Sequence, residues 1–320
     1  MREIGGYIEL EHNRGAMLHE ECIALNCGRS GLAYLIEAKD IKRIALPYFD
    51  CDTVGNTCKK YGVSVRYYHI GRDFRPVDLQ LADDEWLYVV NYYGQLTEEE
   101  ILALKERYGR LIMDYAQAYF MVPLDGVDTI YSCRKFFGVA DGAFLSTSAV
   151  IGRDLPRDES CEHMHFLLGR FEGTASEYYA EYVANNERFS HEPIKTMSAL
   201  TQNALRGLDY EFVRTARERN WAALDEMLGQ YNELTLQRPV GPFMYPLLIR
   251  NGEYVRKMLQ GQRIYIPTLW PDVFDICVKE DIEYSLAKNI LPLPIDQRYS
   301  QEDMEYMARQ IKKCIQESLK

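Results

Sequence analysis

The sequence predicts an α/β fold, with a large unit built on a mostly parallel sheet flanked by helices and a smaller C-terminal α+β unit after it. Three observations carry this. Between Asn26 and Val150 short apolar runs alternate with helix-like stretches, the pattern of strands joined by crossover helices. Beyond Arg153 a longer helical periodicity takes over. At 320 residues the chain exceeds the length at which one core usually keeps growing, so two domains are expected, 1–215 and 216–320.

Taken in order, strands are expected at 43–47, 64–69, 86–91, 111–113, 128–132 and 143–147. Gly31–Ala38, Cys51–Tyr61 and Thr97–Tyr108 read as the helices between them, the last opened by Thr97 and an acidic first turn that suits a helix dipole. Ala175–Phe189, Ile194–Leu208 and Tyr210–Leu228 are rich in helix-favouring residues, and the third is expected to cross into the second domain. The C-terminal unit offers strands at Thr235–Leu236, Met244–Leu248 and Arg263–Ile266, with helices at Gly252–Gln260 and Gln301–Leu319.

Composition excludes several classes. Apolar residues make up 47% and charged residues 27%, close to the globular average, so the whole chain should fold. The formal charge of −11 comes without any basic run, which argues against nucleic acid as a partner. Neither a Walker-type phosphate loop nor a G-x-G-x-x-G turn follows any expected strand. Eight cysteines without a C-x-x-C pair read as reduced thiols of a cytoplasmic protein. Met1–Gly6 carries a charge pair where a signal peptide needs apolar residues, and no later stretch is long enough to cross a bilayer. His163-Met164-His165 lacks a third ligand in sequence, so no metal is expected. Tyr178, Tyr179 and Tyr182 fall on helical spacing, as a packed or dimer-facing stripe would.

Three segments at expected strand ends carry the chemistry. Ile112-Met113-Asp114-Tyr115-Ala116-Gln117 runs a strand into a carboxylate at its C-terminal end, where ligands bind in open α/β sheets. Taken alone, Asp114 is more readily a turn or N-cap residue, and the neighbouring segments lift it. Tyr131 to Leu145 places a single lysine, Lys135, among aromatic and apolar residues, with Ser132 three residues before it and Arg134 beside it. Desolvation and a neighbouring positive charge would lower the pKa of such an amine toward its nucleophilic form. In Asn26-Cys27-Gly28-Arg29-Ser30-Gly31 a small-residue turn enters an apolar helix, a start that presents backbone N–H groups to an anion. Gly28 lets a phosphate approach, Arg29 adds charge, and Ser30 can bond the phosphate or cap the helix. Together they suit pyridoxal 5′-phosphate (PLP): Lys135 for its aldehyde, Asp114 for its ring nitrogen, Gln117 for its phenolic oxygen and Ser132 for its phosphate.

These segments resemble the DegT/StrS-type branch of the PLP-dependent aminotransferases, of fold type I. Gly28-Arg29-Ser30 sits at that family's Gly-Thr-Ala-like turn, and Asn91-Tyr92-Tyr93-Gly94 is similar to its His-x-x-Gly strand end. Asp114-Tyr115-Ala116-Gln117 is similar to its Asp-x-Ala-Gln/His motif. Pro47-Tyr48-Phe49-Asp50-Cys51 looks like its Pro-x-x-Thr-aromatic segment, with Cys51 where the ring-stacking aromatic stands; Phe49, Tyr48, Tyr92 or Tyr93 could stack instead. Pro193 to Ser198 departs from the family's Asn-x-Arg-like loop, leaving Lys195 as a substitute phosphate ligand, and Arg263 to Trp270, with Tyr265, is similar to the segment that closes over substrate.

The resemblance implies a seven-stranded sheet and a homodimer with its site at the subunit interface. It also implies transfer of an amino group from a donor such as glutamate to a keto-sugar, free or nucleotide-linked. The departures at Cys51 and Lys195 keep a non-catalytic PLP-binding relative in view, and other PLP chemistry such as dehydration is the nearer rival. The expected cofactor contacts are Gly28, Arg29, Ser30, Cys51, Asn91, Asp114, Gln117, Ser132 and Lys135, with Lys195, Tyr265 and Trp270 toward substrate.

Overall fold

The computed structural model describes residues 4–318; Met1 to Glu3 of the charged start and Leu319, the expected end of the last helix, lie outside it. The large unit runs β1 (Ile23–Leu25), α1 (Gly28–Ala38), β2 (Arg43–Pro47), α2 (Asp52–Lys60), β3 (Ser64–Tyr68), β4 (Glu85–Val90), α3 (Glu98–Tyr108), β5 (Leu111–Asp114), β6 (Asp128–Ser132) and β7 (Ala143–Ser146). These strands form one seven-stranded sheet in the order β1-β7-β6-β5-β4-β2-β3. The neighbours from β3 to β6 are parallel, and β7 is antiparallel to both β6 and β1. β2, β4 and β5 are buried almost end to end, as strands covered on both faces must be. The six strands expected in this unit all form within a residue or so of their places. Strand β1 was not expected, since three residues carry no readable period.

Helix α3 starts as its sequence dictates. Thr97 Oγ1 accepts from the Glu100 N–H and the Glu100 carboxylate accepts from the Thr97 N–H, a reciprocal cap. Helix α1 begins at Gly28, three residues earlier than expected, so Gly-Arg-Ser is its first turn and not a lead-in. Gly31 lets it approach β6, because a Cβ there would stand 3.1 Å from Ile130.

The chain continues through α4 (His165–Glu172), α5 (Tyr179–His191), α6 (Ala199–Arg206), α7 (Tyr210–Leu228), β8 (Met244–Leu248), α8 (Gly252–Gly261), α9 (Val273–Ile276), α10 (Ile282–Asn289), β9 (Ile290–Pro294) and α11 (Gln301–Ser318). Four expectations are corrected here. Ile194–Leu208 is helical only from Ala199, because Thr196 bridges to Leu25 and Arg157 in extended form and Ser198 then caps the helix. Ala175–Phe189 starts at Tyr179. Thr235–Leu236 and Arg263–Ile266 form no strand; Arg263 turns into the left-handed region, φ +61°, as the chain leaves α8. The partner of β8 is β9, antiparallel to it. Pro292 and Pro294 hid β9, since proline argues against a strand unless one edge needs no donors.

Two cores result. Val213, early in α7, packs with the sheet, whereas Trp221, Leu224 and Leu228 of the same helix pack with β8, β9, α8 and α11. Among the described residues no helix is long and apolar enough to cross a membrane.

Candidate active site

The parallel strands end together: Val90 of β4 stands beside Asp114 of β5, which stands beside Ile130 of β6. Asp114 is buried and forms no salt bridge among the described residues. Its Oδ2 accepts from the Tyr88 hydroxyl at 2.8 Å and its Oδ1 from the Ala116 N–H at 2.6 Å. One turn on, the buried Gln117 accepts the Tyr93 N–H on Oε1 at 2.8 Å, which leaves its amide N–H groups as donors.

Lys135 closes a 3-10 turn, Cys133–Lys135, directly after β6. The turn is held from several sides. Cys133 N–H donates to Gly142 O, and the Phe136 carbonyl accepts from Gln297 Nε2 at 3.0 Å and from the buried Arg217 at 3.3 Å. Arg217, whose pKa burial lowers to about 10, also donates to the carbonyls of Pro242 and Phe243 and so ties α7 to this turn. Asp141, fully buried, accepts from the hydroxyls of Ser160, Ser198 and Thr201 and fixes the far end of the loop. The expected desolvation of the lysine is not found. Lys135 is exposed, with only the Phe243 ring under Nζ, 5.8 Å away. Phe136 and Phe137, directly after the turn, are buried in the core instead.

Positive charge gathers at the start of α1. Its N-cap, Cys27, gives no side-chain cap to the backbone N–H groups of the first turn. Arg29 Nη1 donates to the Asn186 carbonyl at 2.9 Å, and both terminal nitrogens of Arg134 reach Asn186 Oδ1 at 3.3 Å. Neither guanidinium pairs with a carboxylate among the described residues, and Arg29 Nε is buried without any partner. Burial, reinforced by repulsion from Arg29 and Arg188, holds Arg134 below its usual pKa. Ser132, half-buried, gives no cap to the turn after it. Ser30 donates to Asn26 Oδ1 at 2.6 Å, so its hydroxyl is engaged inside the fold.

A second carboxylate completes the bay. Asp50 Oδ1 accepts from the Cys51 N–H at 2.7 Å, while Oδ2 has lost water and gained no partner. Burial and then the charge of Asp114 push the Asp50 pKa well above the carboxylate range, against the pull of Lys135. Burial likewise pushes the Cys51 thiol up, although the Thr53 hydroxyl donates to it at 3.2 Å. Among the stacking candidates, Phe49 and Tyr92 are locked against Trp270 at 4.5 and 5.4 Å, Tyr93 lies on Phe74, and Tyr48 lies on Tyr67.

Other expected residues stand apart from this centre. Asn91 is fully buried and closes its own turn through both backbone groups of Leu96. Lys195 is paired with Asp158 at 3.3 Å and Glu192 at 3.1 Å. Tyr265 is exposed, whereas Trp270 is buried in the aromatic cluster. Sequence reading missed Tyr88, Asn186 and the role of Asp50. For Asp50 a signal existed, a carboxylate where the Pro-x-x-Thr pattern has a hydroxyl; Asn186 offered none.

No protein-family model matches the sequence, and no curated protein matches it significantly. Solved structures do. DesV of S. venezuelae, in complex with a ketimine intermediate, is 15% identical over 91% of this chain and 84% of its own, with a TM-score of 0.64. NtdA from Bacillus subtilis with bound cofactor PMP is 13% identical over 92% and 73%, with a TM-score of 0.66. A DegT DnrJ EryC1 StrS aminotransferase from Brucella abortus is 17% identical over 91% and 85%, with a TM-score of 0.60. The chain has the fold these proteins share.

Proposed function

We propose that this chain is a PLP-dependent aminotransferase that moves an amino group from an amino acid such as glutamate to a keto-sugar. One observation carries the reading: Asp114 and Lys135 follow the adjacent strands β5 and β6, Gln117 lies one turn past Asp114, and two guanidiniums free of carboxylates among the described residues converge on Asn186 at the start of α1. The residues fit the cofactor. The orphaned Arg29 Nε and the uncapped start of α1 match a phosphate dianion, and an Asp114 unpaired with any cation matches a protonated ring nitrogen. Lys195, committed to Asp158 and Glu192 in its own chain, is the weakest of the expected phosphate contacts.

Bound there, PLP supplies an aldehyde and an electron-withdrawing ring. Gly28, Arg29, Arg134 and Ser132 bind its phosphate. Asp114, oriented by the Tyr88 hydroxyl, keeps the proton on the ring nitrogen, and the amide of Gln117 orients the phenolic oxygen. Lys135 would supply the amine that holds the aldehyde and, once the donor's amine has displaced it, would act as the acid–base group that moves a proton between the donor's Cα and the adjacent cofactor carbon on its own face. Its exposure suits a bay closed by a second subunit, and Leu168, Phe171, Tyr179 and Tyr182 of α4 and α5 offer an exposed apolar face beside Asn186 for a homodimer. We further read 1–215 as the cofactor-binding domain and 216–320 as the smaller domain, and place the protein in the cytoplasm, where free thiols persist.

The test is spectroscopic. Protein incubated with PLP and then freed of unbound cofactor should stay yellow, Lys135→Ala should lose the band, and glutamate should bleach it in the wild type. A colourless protein after removal of unbound PLP sinks the reading; a yellow protein that glutamate leaves unchanged replaces it with a cofactor-binding protein that does not transaminate.

A further inference from the structure

Beside the bay lies a cleft of about 430 Å3, bounded by β2, β3, α2 and the chain around α9. Its lining combines Tyr48 and Tyr67 with the carboxylates of Asp50, Asp52 and Asp272, and Lys59 is the one cation among the lining residues. The two tyrosine rings are stacked, 5.2 Å apart and 22° from parallel. Gly55 makes room for them, since a Cβ there would stand 2.8 Å from the Tyr67 hydroxyl. Asp50 joins the cleft to the bay, and its buried Oδ2 has no hydrogen-bond partner.

A helix start would ordinarily make such a cleft welcome a phosphate. Here the start of α2 is already taken: the Cys51 N–H goes to Asp50 Oδ1 at 2.7 Å and the Asp52 N–H to Asp272 Oδ2 at 3.4 Å. An entering phosphate would meet carboxylates in place of donors. An ammonium group would find the carboxylates of Asp52 and Asp272, the exposed Tyr67 ring and, at Asp50, an acid whose buried oxygen lacks a partner and whose ionisation a neighbouring cation would favour.

We propose that this cleft binds the acceptor substrate and that the acceptor is an amine-bearing, unphosphorylated sugar, recognised by Asp50, Asp52 and Asp272 with Tyr48 and Tyr67. The assignment rests on the aminotransferase reading and narrows it, because it turns away nucleotide-linked sugars.

Three probes of one shape and different charge test it on cofactor-free protein: glucosamine, glucose and glucose 1-phosphate, titrated by ligand-observed NMR. Glucosamine should bind roughly tenfold tighter than glucose, the size of one well-placed charged contact, and glucose 1-phosphate weakest of the three. In Asp52→Asn/Asp272→Asn, two changes at partly exposed positions, the preference for glucosamine should collapse while the melting temperature holds. Equal affinity for glucosamine and glucose, tighter binding of glucose 1-phosphate, or an undiminished preference in the double variant each overturns the proposal. Because PLP is absent from the titration, its result is independent of the yellow band that tests the cofactor reading.

Discussion

Helices α1 and α2 both begin at the end of the sheet where the bay lies, and they treat charge in opposite ways. The start of α1 has no side-chain cap and carries Arg29 and Arg134 without a carboxylate between them. The start of α2 has its N–H groups occupied by Asp50 and Asp272. Both helices have the same dipole, so the side chains alone decide which end accepts an anion. The bay is polarised: the start of α1 suits an anion, and the start of α2, filled by carboxylates, does not.

The largest effect should come from removing the positive side. In Arg29→Ala/Arg134→Ala, two charge-assisted contacts of about 1.5–3 kcal/mol each are lost, so PLP affinity should fall roughly 10²- to 10⁴-fold by absorbance titration. A loss below tenfold would move the phosphate away from α1. Next comes the pair that anchors α5 behind Asn186. Burial raises the pKa of Asp158, but the Arg188 hydrogen bond and charge outweigh it and hold the carboxylate below its usual range. Asp158→Asn should cost about 2–3 kcal/mol in urea unfolding, less than a wholly orphaned charge because Glu192 still reaches Arg188 at 3.0 Å. The contribution of a depressed acid is complete above the unfolded value of about 4 and fades as pH falls through the folded one. The variant should therefore lose part of the wild-type acid limb. A variant as stable as wild type would show that the pair does not anchor α5.

Sequence reading found much of the bay because its chemistry is local. Asp114 and Gln117 lie one turn apart at a strand end, and Lys135 follows the next strand by three residues. What it missed is held by contacts remote in the chain. Asn186 joins Arg29 and Arg134 from 157 and 52 residues away, and no pattern within either segment names it. Asp50 meets the charge of Asp114 only because the sheet order places β4 between β2 and β5. The desolvation of Lys135 was misjudged for the converse reason: neighbours in sequence became neighbours in space only where the backbone aimed them inward. In the fold, β9 was concealed by prolines that its free edge tolerates.

The smallest expected effect probes the negative side and has the opposite sign. Asp50 keeps a proton in the folded chain above the pH at which the unfolded chain releases it, because burial and then Asp114 disfavour its charge. Folding then takes up protons, so its contribution to stability falls as pH rises past about 4. Asp50→Asn removes that slope, because the amide is neutral in both the folded and the unfolded chain at every pH. The variant should melt about 2 °C higher than wild type at pH 7, as about 1 kcal/mol gives in a chain of this size, and should match it near pH 4. A lower melting temperature at pH 7 would mean that Asp50 is ionised and paired with Lys135. The polarity of the bay would then be set by that ion pair and not by the contrast between the two helix starts.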